Sequence, residues 1–297
     1  MNKKKLLLIV TVIGLLFLMS GCTIPTDENG KYVLIALNEI QNTDRVVITS
    51  FSEMMSTEGF FSAIFVYPLS QFINFFTPYT NVGVAILVVT VIINVVLLLF
   101  TFKQNVAMQK MQTLQPEIDK INRKYEGKTD EASKMRMAQE MQNLYAKNNI
   151  NPFSSLLTTF IQFPILIAMY HAVQRAYSVA YGTFMGISLE NTPLQGVRNG
   201  EWIYAVFFAL MIIAQFGSMM LPQMLSKYRA KKAAEKAHKP YRPSSNPANS
   251  TMYMMMIFIT VIAVGWPTAM SFYWMISSLV NIVKTLLVDY ISNRGKE

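Results

Sequence analysis

The chain has 297 residues, of which 52% are hydrophobic and only 14% charged, and its formal net charge is +9. This balance is too apolar for a soluble domain, and the chain is too long for a single membrane span. It predicts an all-α polytopic membrane protein, and the single cysteine excludes an internal disulfide.

The first residues, MNKKKLLLIVTVIGLLFLMSGC, combine three lysines, a short apolar stretch and small residues. This is the layout of a secretory signal peptide, so residues 1–21 are expected to be removed. The last of these letters is Cys22, and LMSGC resembles the bacterial lipobox. A diacylated Cys22, carrying chains such as palmitate, would hold an extracytoplasmic segment, residues 22–58, at the membrane. The alternative is a chance cysteine in an uncleaved anchor.

Four apolar tracts are long enough to cross a bilayer: residues 82–102, 152–173, 202–221 and 252–288. The last is long enough for two crossings, and the glycine and proline within residues 264–271 would make the turn between them. The sequence therefore predicts five transmembrane helices within a core of residues 79–290.

Basic residues set the expected orientation, because loops rich in lysine and arginine prefer the cytoplasm. Residues 103–150 carry nine of them and residues 227–242 carry seven. The cytoplasmic parts are then the segment 104–149, the loop 223–250 and the tail 291–297.

Residues 59–78 are apolar enough for a sixth span, but a crossing there would move the basic segment that follows to the outside. We therefore expect an amphipathic helix lying on the outer membrane surface. Pro68, Ser70, Gln71 and Asn74 fit such a helix, with aromatic residues as anchors.

Residues 104–149 are predicted to form a cytoplasmic helical hairpin, with Thr129 or Asp130 as the cap of its second helix. Apolar positions recur three or four apart on both helices. These two stripes can simply pack on each other. They are also rich in methionine, which suits a surface for varied apolar partners. The methionines proposed to contact substrate are Met108, Met111, Met135 and Met141.

The central parts of the spans contain no charged residue, which argues against an ion-coupled transporter. No metal-binding or hydrolytic motif is found, and His171 and His238 are the only histidines. We therefore expect no cofactor, no metal site and no catalytic residue. Uncharged polar residues remain in the spans, among them Asn94, Gln162 and Gln215. Each could bond two helices together, or the set could line a wet cavity.

Three blocks of sequence are recognisable: FKQNVAMQKMQTLQPEIDKINRKY, NNINPFSSLLTTFIQFPILIAMY and WPTAMSFYWMISSLVNIVK. They resemble, in order, the start of the cytoplasmic hairpin, the second span and the final span of YidC/OxaA membrane protein insertases. The resemblance covers most of residues 79–290. The lipobox and the absence of a large extracytoplasmic domain resemble the Gram-positive branch of that family.

The resemblance implies a five-span insertase and chaperone in the bacterial plasma membrane, with its N-terminus outside and its C-terminus in the cytoplasm. A hydrophilic groove would accept nascent membrane proteins, alone or beside the Sec translocon. Membrane lipids, and the ribosome through the basic loops and tail, are the other expected partners. The residues assigned to the groove are Asn94, Thr158, Gln162, Gln215, Tyr273, Trp274 and Asn281.

This chain departs from the family pattern at Asn94, where members typically carry a basic residue, and at Phe100, where proline is common. The attraction of the groove for acidic substrate tails would then be weaker. Two other functions stay open at this point. A small-solute transporter or channel would need an outside opening and a charged coupling site. A lipoprotein that only scaffolds the Sec machinery would not insert substrates by itself.

Overall fold

The structure is a computed structural model that describes residues 24–40, 43–150, 154–236, 238 and 247–293. The expected signal peptide, Cys22 and the end of the tail lie outside these residues. The described chain is mostly helical. Its α-helices are α1 (Phe51–Glu58), α2 (Tyr67–Phe76), α3 (Val82–Thr113), α4 (Gln115–Lys124), α5 (Glu131–Lys147), α6 (Ser154–Arg175), α7 (Tyr177–Tyr181), α8 (Pro193–Arg198), α9 (Trp202–Lys236), α10 (Pro247–Ala263) and α11 (Thr268–Asn293).

Two small sheets complete the described elements. Strand β1 (Leu34–Ile35) pairs in parallel with β2 (Val47–Ile48). Strand β3 (Thr183–Phe184) pairs antiparallel with β4 (Ile187–Ser188). Both sheets lie in segments that the sequence assigns to the outside of the membrane.

Three helices are long and apolar enough to cross a membrane in the part of the chain that was searched: Val82–Gln104 within α3, Trp202–Lys236, and Thr268–Ile291 within α11. The expected class, an all-α membrane protein, is confirmed. Helices α6 and α10 occupy the other two predicted crossings, and the break between α10 and α11 lies at the predicted turn. The total of five crossings stays a prediction.

The chain forms two compact units. The first unit contains the chain up to Ile93 together with Ile161–Ala209 and Val264–Ile276. The second unit contains Asn94–Phe160, Leu210–Ala263 and the chain from Ser277 onward. The first unit thus holds the beginnings of α3, α9 and α11 and the end of α6.

Within the second unit, helices α9 and α11 run in the same direction. In the second unit Ser278 bonds to Gln215, and a Cβ on Gly217 would lie 3.8 Å from Ile282. Residue numbers rise together on both helices, so the chain must return between them. Helix α10, about 25 Å long at 1.5 Å per residue, is placed to make that return.

The segment predicted as an interfacial helix folds as a π-helix (Ser62–Val66), α2 and a 3₁₀ turn (Thr77–Tyr79). Its polar side chains bond to protein rather than facing a wet interface. Asn74 Nδ2 donates to the Ile35 carbonyl at 2.7 Å, and Gln71 Nε2 donates to the Ala36 carbonyl at 2.8 Å. The exposed side chains are aromatic and aliphatic: Phe60, Ile64, Phe65, Phe72, Phe75 and Tyr79.

The hairpin predicted for residues 104–149 consists of α4 and α5, because α3 continues without a break to Thr113. Asp130 caps α5 as predicted, accepting a hydrogen bond from the Ser133 backbone nitrogen at 2.8 Å. The two apolar stripes pack on each other. The buried cluster contains Leu114, Ile118 and Ile150, with Met111, Met141, Leu144 and Tyr145 partly buried against it.

Candidate functional site

The residues assigned to the groove are divided between the two units. Gln162, Tyr273 and Trp274 belong to the first unit. The second unit contains the other four: Asn94, Thr158, Gln215 and Asn281. Thr158 lies within α6, and the structure describes only its backbone. Each group is considered within its own unit.

Gln215 lies at the centre of a polar contact between α9 and α11 in the second unit. Ser278 Oγ donates to Gln215 Oε1 at 2.6 Å, and Gln215 Nε2 lies 3.6 Å from Met219 Sδ. Ser218 Oγ donates to the Gln215 carbonyl at 3.1 Å. In hydrocarbon an amide must find such partners inside the protein. Gln215 therefore joins two helices, whatever else it contacts.

Asn94, the first residue of the second unit, is 3% exposed. The lipid-facing side of the same helix carries exposed apolar side chains, including Val95, Leu99 and Phe100. Two turns beyond Asn94, the buried Thr101 donates to the Leu97 carbonyl at 2.7 Å. Asn94 is thus a buried polar group on the protein-facing side of α3, as both the helix-contact and the groove interpretations require.

Helix α11 has three distinct faces within the second unit. Val283, Leu286 and Leu287 are exposed. Ser278 and Ile282 contact α9. With 100° between successive residues, Ser277, Asn281 and Lys284 form a third face. Ser277 is buried, and Asn281 and Lys284 are half-buried. We refer to these three residues as the polar face of α11 (Ser277, Asn281, Lys284), which also contains the buried Val288.

A charged pair marks the far end of the same helices. Arg229 of α9 bonds to Asp289 of α11, and both side chains are about a quarter exposed. Sequence reasoning did not single out this pair or Lys284. The signal was available, since both helices carry isolated charges after long apolar tracts.

Aromatic side chains fill the first unit where its spans begin and end. Tyr273 is 1% exposed, and the half-buried Trp274 lies 5.0 Å from Trp266, whose ring is 4.7 Å from Tyr170. A second cluster joins Phe184, Phe207 and Phe272. Gly83 allows α3 to approach it, since a Cβ there would lie 2.3 Å from the Phe184 ring. Gln162 is half-buried in this unit.

A buried ion pair fastens the amino-terminal segment, residues 24–58, to the end of α6. Arg175 is fully buried and donates to both carboxylate oxygens of Glu58, at 2.7 and 2.5 Å. Its Nε donates to the Val33 carbonyl at 2.7 Å. Sequence reasoning missed this contact, although Arg175 stands alone at the end of an apolar tract.

Further contacts fix the same segment to the loop after α6. Arg45 donates to Glu190 at 2.7 Å, and this carboxylate raises the pKa of Arg45. The Tyr181 hydroxyl donates to Asp44 at 2.9 Å, and Lys31 pairs with the same carboxylate. Lys31 and Tyr181 together lower the pKa of Asp44 to about 2.

The four hairpin methionines have different surroundings. Met111 and Met141 pack within the hairpin, whereas Met135 is 69% exposed. Met108 lies within α3, and the structure describes only its backbone. At the tip of the hairpin Lys124 pairs with Glu140 at 2.5 Å, and Lys124 and Tyr125 lower the pKa of that carboxyl.

Among the described residues, no three His, Cys, Asp or Glu side chains lie close enough to hold a metal ion.

Comparison with known proteins gives a consistent result. The family model described as "60Kd inner membrane protein" matches residues 72–295. The chain is 31% identical over 289 residues to membrane protein insertase YidC 2 of Bacillus anthracis, covering 96% of this chain and 94% of that protein. It is 26% identical to membrane protein insertase MisCA of Bacillus subtilis, with 96% and 92% covered. It is 28% identical to membrane protein insertase YidC of Oceanobacillus iheyensis, with 97% of each chain covered.

Proposed function

Because the chain belongs to the 60Kd inner membrane protein family, whose matching relatives are YidC-type insertases, we propose that it inserts nascent membrane proteins into a bacterial membrane. The nascent chain would meet the polar side chains of the spans, and its apolar segment would leave sideways into lipid. The proposal also covers chaperone assistance while the new helix packs.

The observation that carries this proposal is the unequal lining of the spans. In the second unit they offer Gln215, Ser278, Asn281 and the buried Asn94. In the first unit aromatic rings pack on one another and the amino-terminal segment is docked by a buried ion pair. A polar substrate segment would therefore meet the polar side chains of the second unit.

Charge supports an assignment of the second unit to the cytoplasm. The two most basic stretches of the chain, residues 103–150 and 227–242, both belong to it. The first-unit loop at residues 177–201 carries only one basic residue. By the positive-inside preference, the substrate would enter from the cytoplasm and the first unit would face outward.

The energetics require no cofactor. Moving a polar tail through hydrocarbon is costly because each unpaired polar group loses hydrogen bonds to water. Polar side chains and water over half the membrane would shorten the dry path. The substrate's own apolar segment then favours insertion by about 0.3–0.6 kcal/mol for each large apolar residue that reaches lipid.

Two features would hold the extracytoplasmic part of the protein at the membrane. A lipidated Cys22 would anchor the amino terminus, and the exposed aromatic side of residues 60–79 would enter the outer leaflet. Phe60, Phe72 and Phe75 are each about half exposed, while the polar residues between them bond to protein. This helix would therefore rest on lipid with its aromatic side.

Met135 is the hairpin methionine best placed to touch a substrate, because its side chain is exposed and flexible. Met111 and Met141 would serve the hairpin fold. The basic loops and tail would contact the ribosome, and the Sec translocon would be a partner for larger substrates.

The test is insertion by the purified full chain in lipid vesicles, with a single-span substrate and no other protein. Photo-crosslinkers at Gln162 and Asn281, both half-buried, are expected to capture the substrate. A crosslinker at Val283, on the exposed face of α11, is the matched control. Equal capture at all three positions would contradict a substrate path along the polar face of α11. Failure of the purified chain to insert any substrate would favour a scaffold that acts only through Sec.

A further inference from the structure

The short helix α8 of the first unit carries large apolar side chains that are exposed. Leu194 and Val197 lie on α8 with about half of each side chain exposed. Trp202, the first residue of α9, is 80% exposed, and a candidate membrane span begins at the same residue. Neighbouring exposed apolar side chains at the start of a span indicate a contact surface.

Helix α8 is fixed against the first turn of α9. Gly196 packs so closely on Tyr204 that a Cβ there would lie 2.0 Å from the tyrosine ring. The Tyr204 hydroxyl donates to the Ser188 carbonyl at 2.9 Å and accepts from Asn191 Nδ2 at 3.2 Å. Because Tyr204 stands only two residues after the start of the span, α8 lies at the level where α9 enters the membrane.

The exposed side of α8 combines apolar groups with one positive charge. At 100° per residue, Val197, Leu194 and Arg198 follow one another within about 100° of the helix surface, whereas Pro193 and Gly196 are buried on the other side. Arg198 is exposed, and among the described residues it takes part in no ion pair. An arginine beside two apolar side chains matches a phospholipid, in which the phosphate lies next to the acyl chains.

The level of α8 favours lipid over a second protein as the occupant of this surface. Exposed tryptophans at the ends of spans lie at the headgroups, and Trp202 occupies that place on α9. Val206, one turn further along, is also exposed and continues the apolar side of Trp202 into the span. Lipid therefore surrounds α9 at the height of α8.

We infer that Leu194, Val197 and Arg198 form a binding surface for an anionic phospholipid. The two apolar side chains would enter the acyl region, and the guanidinium of Arg198 would bind the phosphate. By the orientation proposed above, this lipid belongs to the outer leaflet.

A lipid bound there would also hold the start of α11. The loop before α8 accepts two of the first backbone hydrogen bonds of that helix. The Thr268 nitrogen donates to the Asn191 carbonyl at 2.8 Å, and the Ala269 nitrogen donates to the Leu189 carbonyl at 2.9 Å. The lipid surface is thus coupled through one short loop to the beginning of a span.

The test uses the full chain in vesicles and the fluorescence of a single tryptophan. The chain has three tryptophans, and replacing them by phenylalanine leaves Leu194→Trp or Val197→Trp as the only one. Phospholipids brominated close to the headgroup are expected to quench either of them. Asn199→Trp, exposed and about 140° around the helix from Leu194, is the matched control and should be quenched by iodide in the water instead.

The charge is tested by comparing brominated phosphatidylglycerol with brominated phosphatidylcholine at equal proportion. The Leu194→Trp chain is expected to show about a fivefold preference for the anionic lipid, as for one basic residue at an anionic surface. Added salt should weaken this preference. Arg198→Gln should abolish it, and Arg198→Lys should keep it.

A second measurement uses the unaltered chain. A photoactivatable phosphatidylglycerol should crosslink within residues 194–198, and mass spectrometry would locate the link. Equal quenching by iodide at positions 194 and 199 would overturn the inference, and so would an unchanged lipid preference in Arg198→Gln. Crosslinks through α8 to a second copy in place of lipid would overturn it as well. None of these measurements depends on insertion, so the proposed function is tested separately.

Discussion

The two units use polar groups in opposite ways. In the first unit, Arg175, Glu58 and Asn74 are buried and saturated with partners, and aromatic rings fill the remaining space. In the second unit, polar side chains lie along the spans: Gln215 and Ser278 bond to each other, Asn94 is buried, and Asn281 is half-buried. The first unit thus uses these polar groups to fasten its segments together, whereas the second unit carries its polar groups along the membrane-spanning helices.

The strongest test of this comparison breaks the buried ion pair. Arg175→Leu is expected to lower the free energy of unfolding by about 3–5 kcal/mol, since it leaves Glu58 buried without its cation. Thermal unfolding in detergent and protease sensitivity of residues 24–58 would measure this. Lys124→Gln, at the exposed hairpin pair of the second unit, should change stability very little, because water screens an exposed ion pair. Similar losses for both variants would contradict the difference between the units.

The next test places the same charge in each unit, one helical turn apart. Asn94→Arg is expected to fold and to rescue an insertase-depleted cell as well as the wild type, because the family pattern that the chain resembles carries a basic residue at this position. Thr90→Arg, at a fully buried position of the first unit, should lose the folded protein. A dry site would cost about 2.5–3.5 kcal/mol for the buried charge. Loss of the folded Asn94→Arg protein would mean that Asn94 serves only as a contact between helices.

A smaller effect is expected at the contact between α9 and α11. Gln215→Leu and Ser278→Ala should each be mildly destabilising, and a double-mutant cycle should give a coupling of about 0.6 kcal/mol, with about 1.7 as the upper range. Unfolding in mixed micelles would measure it. Strictly additive losses would mean that the two side chains do not bond in the membrane.

The smallest effect concerns pH. The pKa of Asp44 is lowered from 3.8 to about 2, so its contribution to docking is present above about pH 4 and is lost as the pH falls through about 2. Protease protection of the amino-terminal segment should be constant from neutral pH down to about 5 and should weaken below about 4. Asp44→Asn should remove this acid dependence. Loss of protection already near pH 6 would point to another group.

The sequence was a good guide where the signal is local. The Asp130 cap, the break between α10 and α11, and the apolar stripes of the hairpin all follow from residues within one or two turns. The protein partners of the polar residues in 59–78 could not be read in this way. Gln71 and Asn74 suit an aqueous interface by residue type, but they donate to the carbonyl groups of Ala36 and Ile35, which are distant in sequence.

The candidate site shows the same difference between local features, which the sequence predicts, and distant partners, which it does not. The sequence identified the polar side chains of the spans, but not which of them pair. Gln215 and Ser278 are 63 positions apart, and Glu58 and Arg175 are 117 apart. Whether a polar group is satisfied depends on such distant partners, so composition and periodicity cannot separate a helix contact from a substrate contact.

The length and continuity of helix α3 couple movements of the hairpin to movements within the membrane. It runs unbroken from Val82 to Thr113, so the hairpin is attached to a rigid rod rather than to a hinge at the membrane surface. The rod is about 48 Å long against a hydrocarbon thickness of about 30 Å. A tilt of only 5° would displace its far end by about 4 Å relative to its start. A substrate that pushes against the hairpin would therefore also move Asn94 within the membrane. The first contact between substrate and hairpin would then shift the polar residues of the spans.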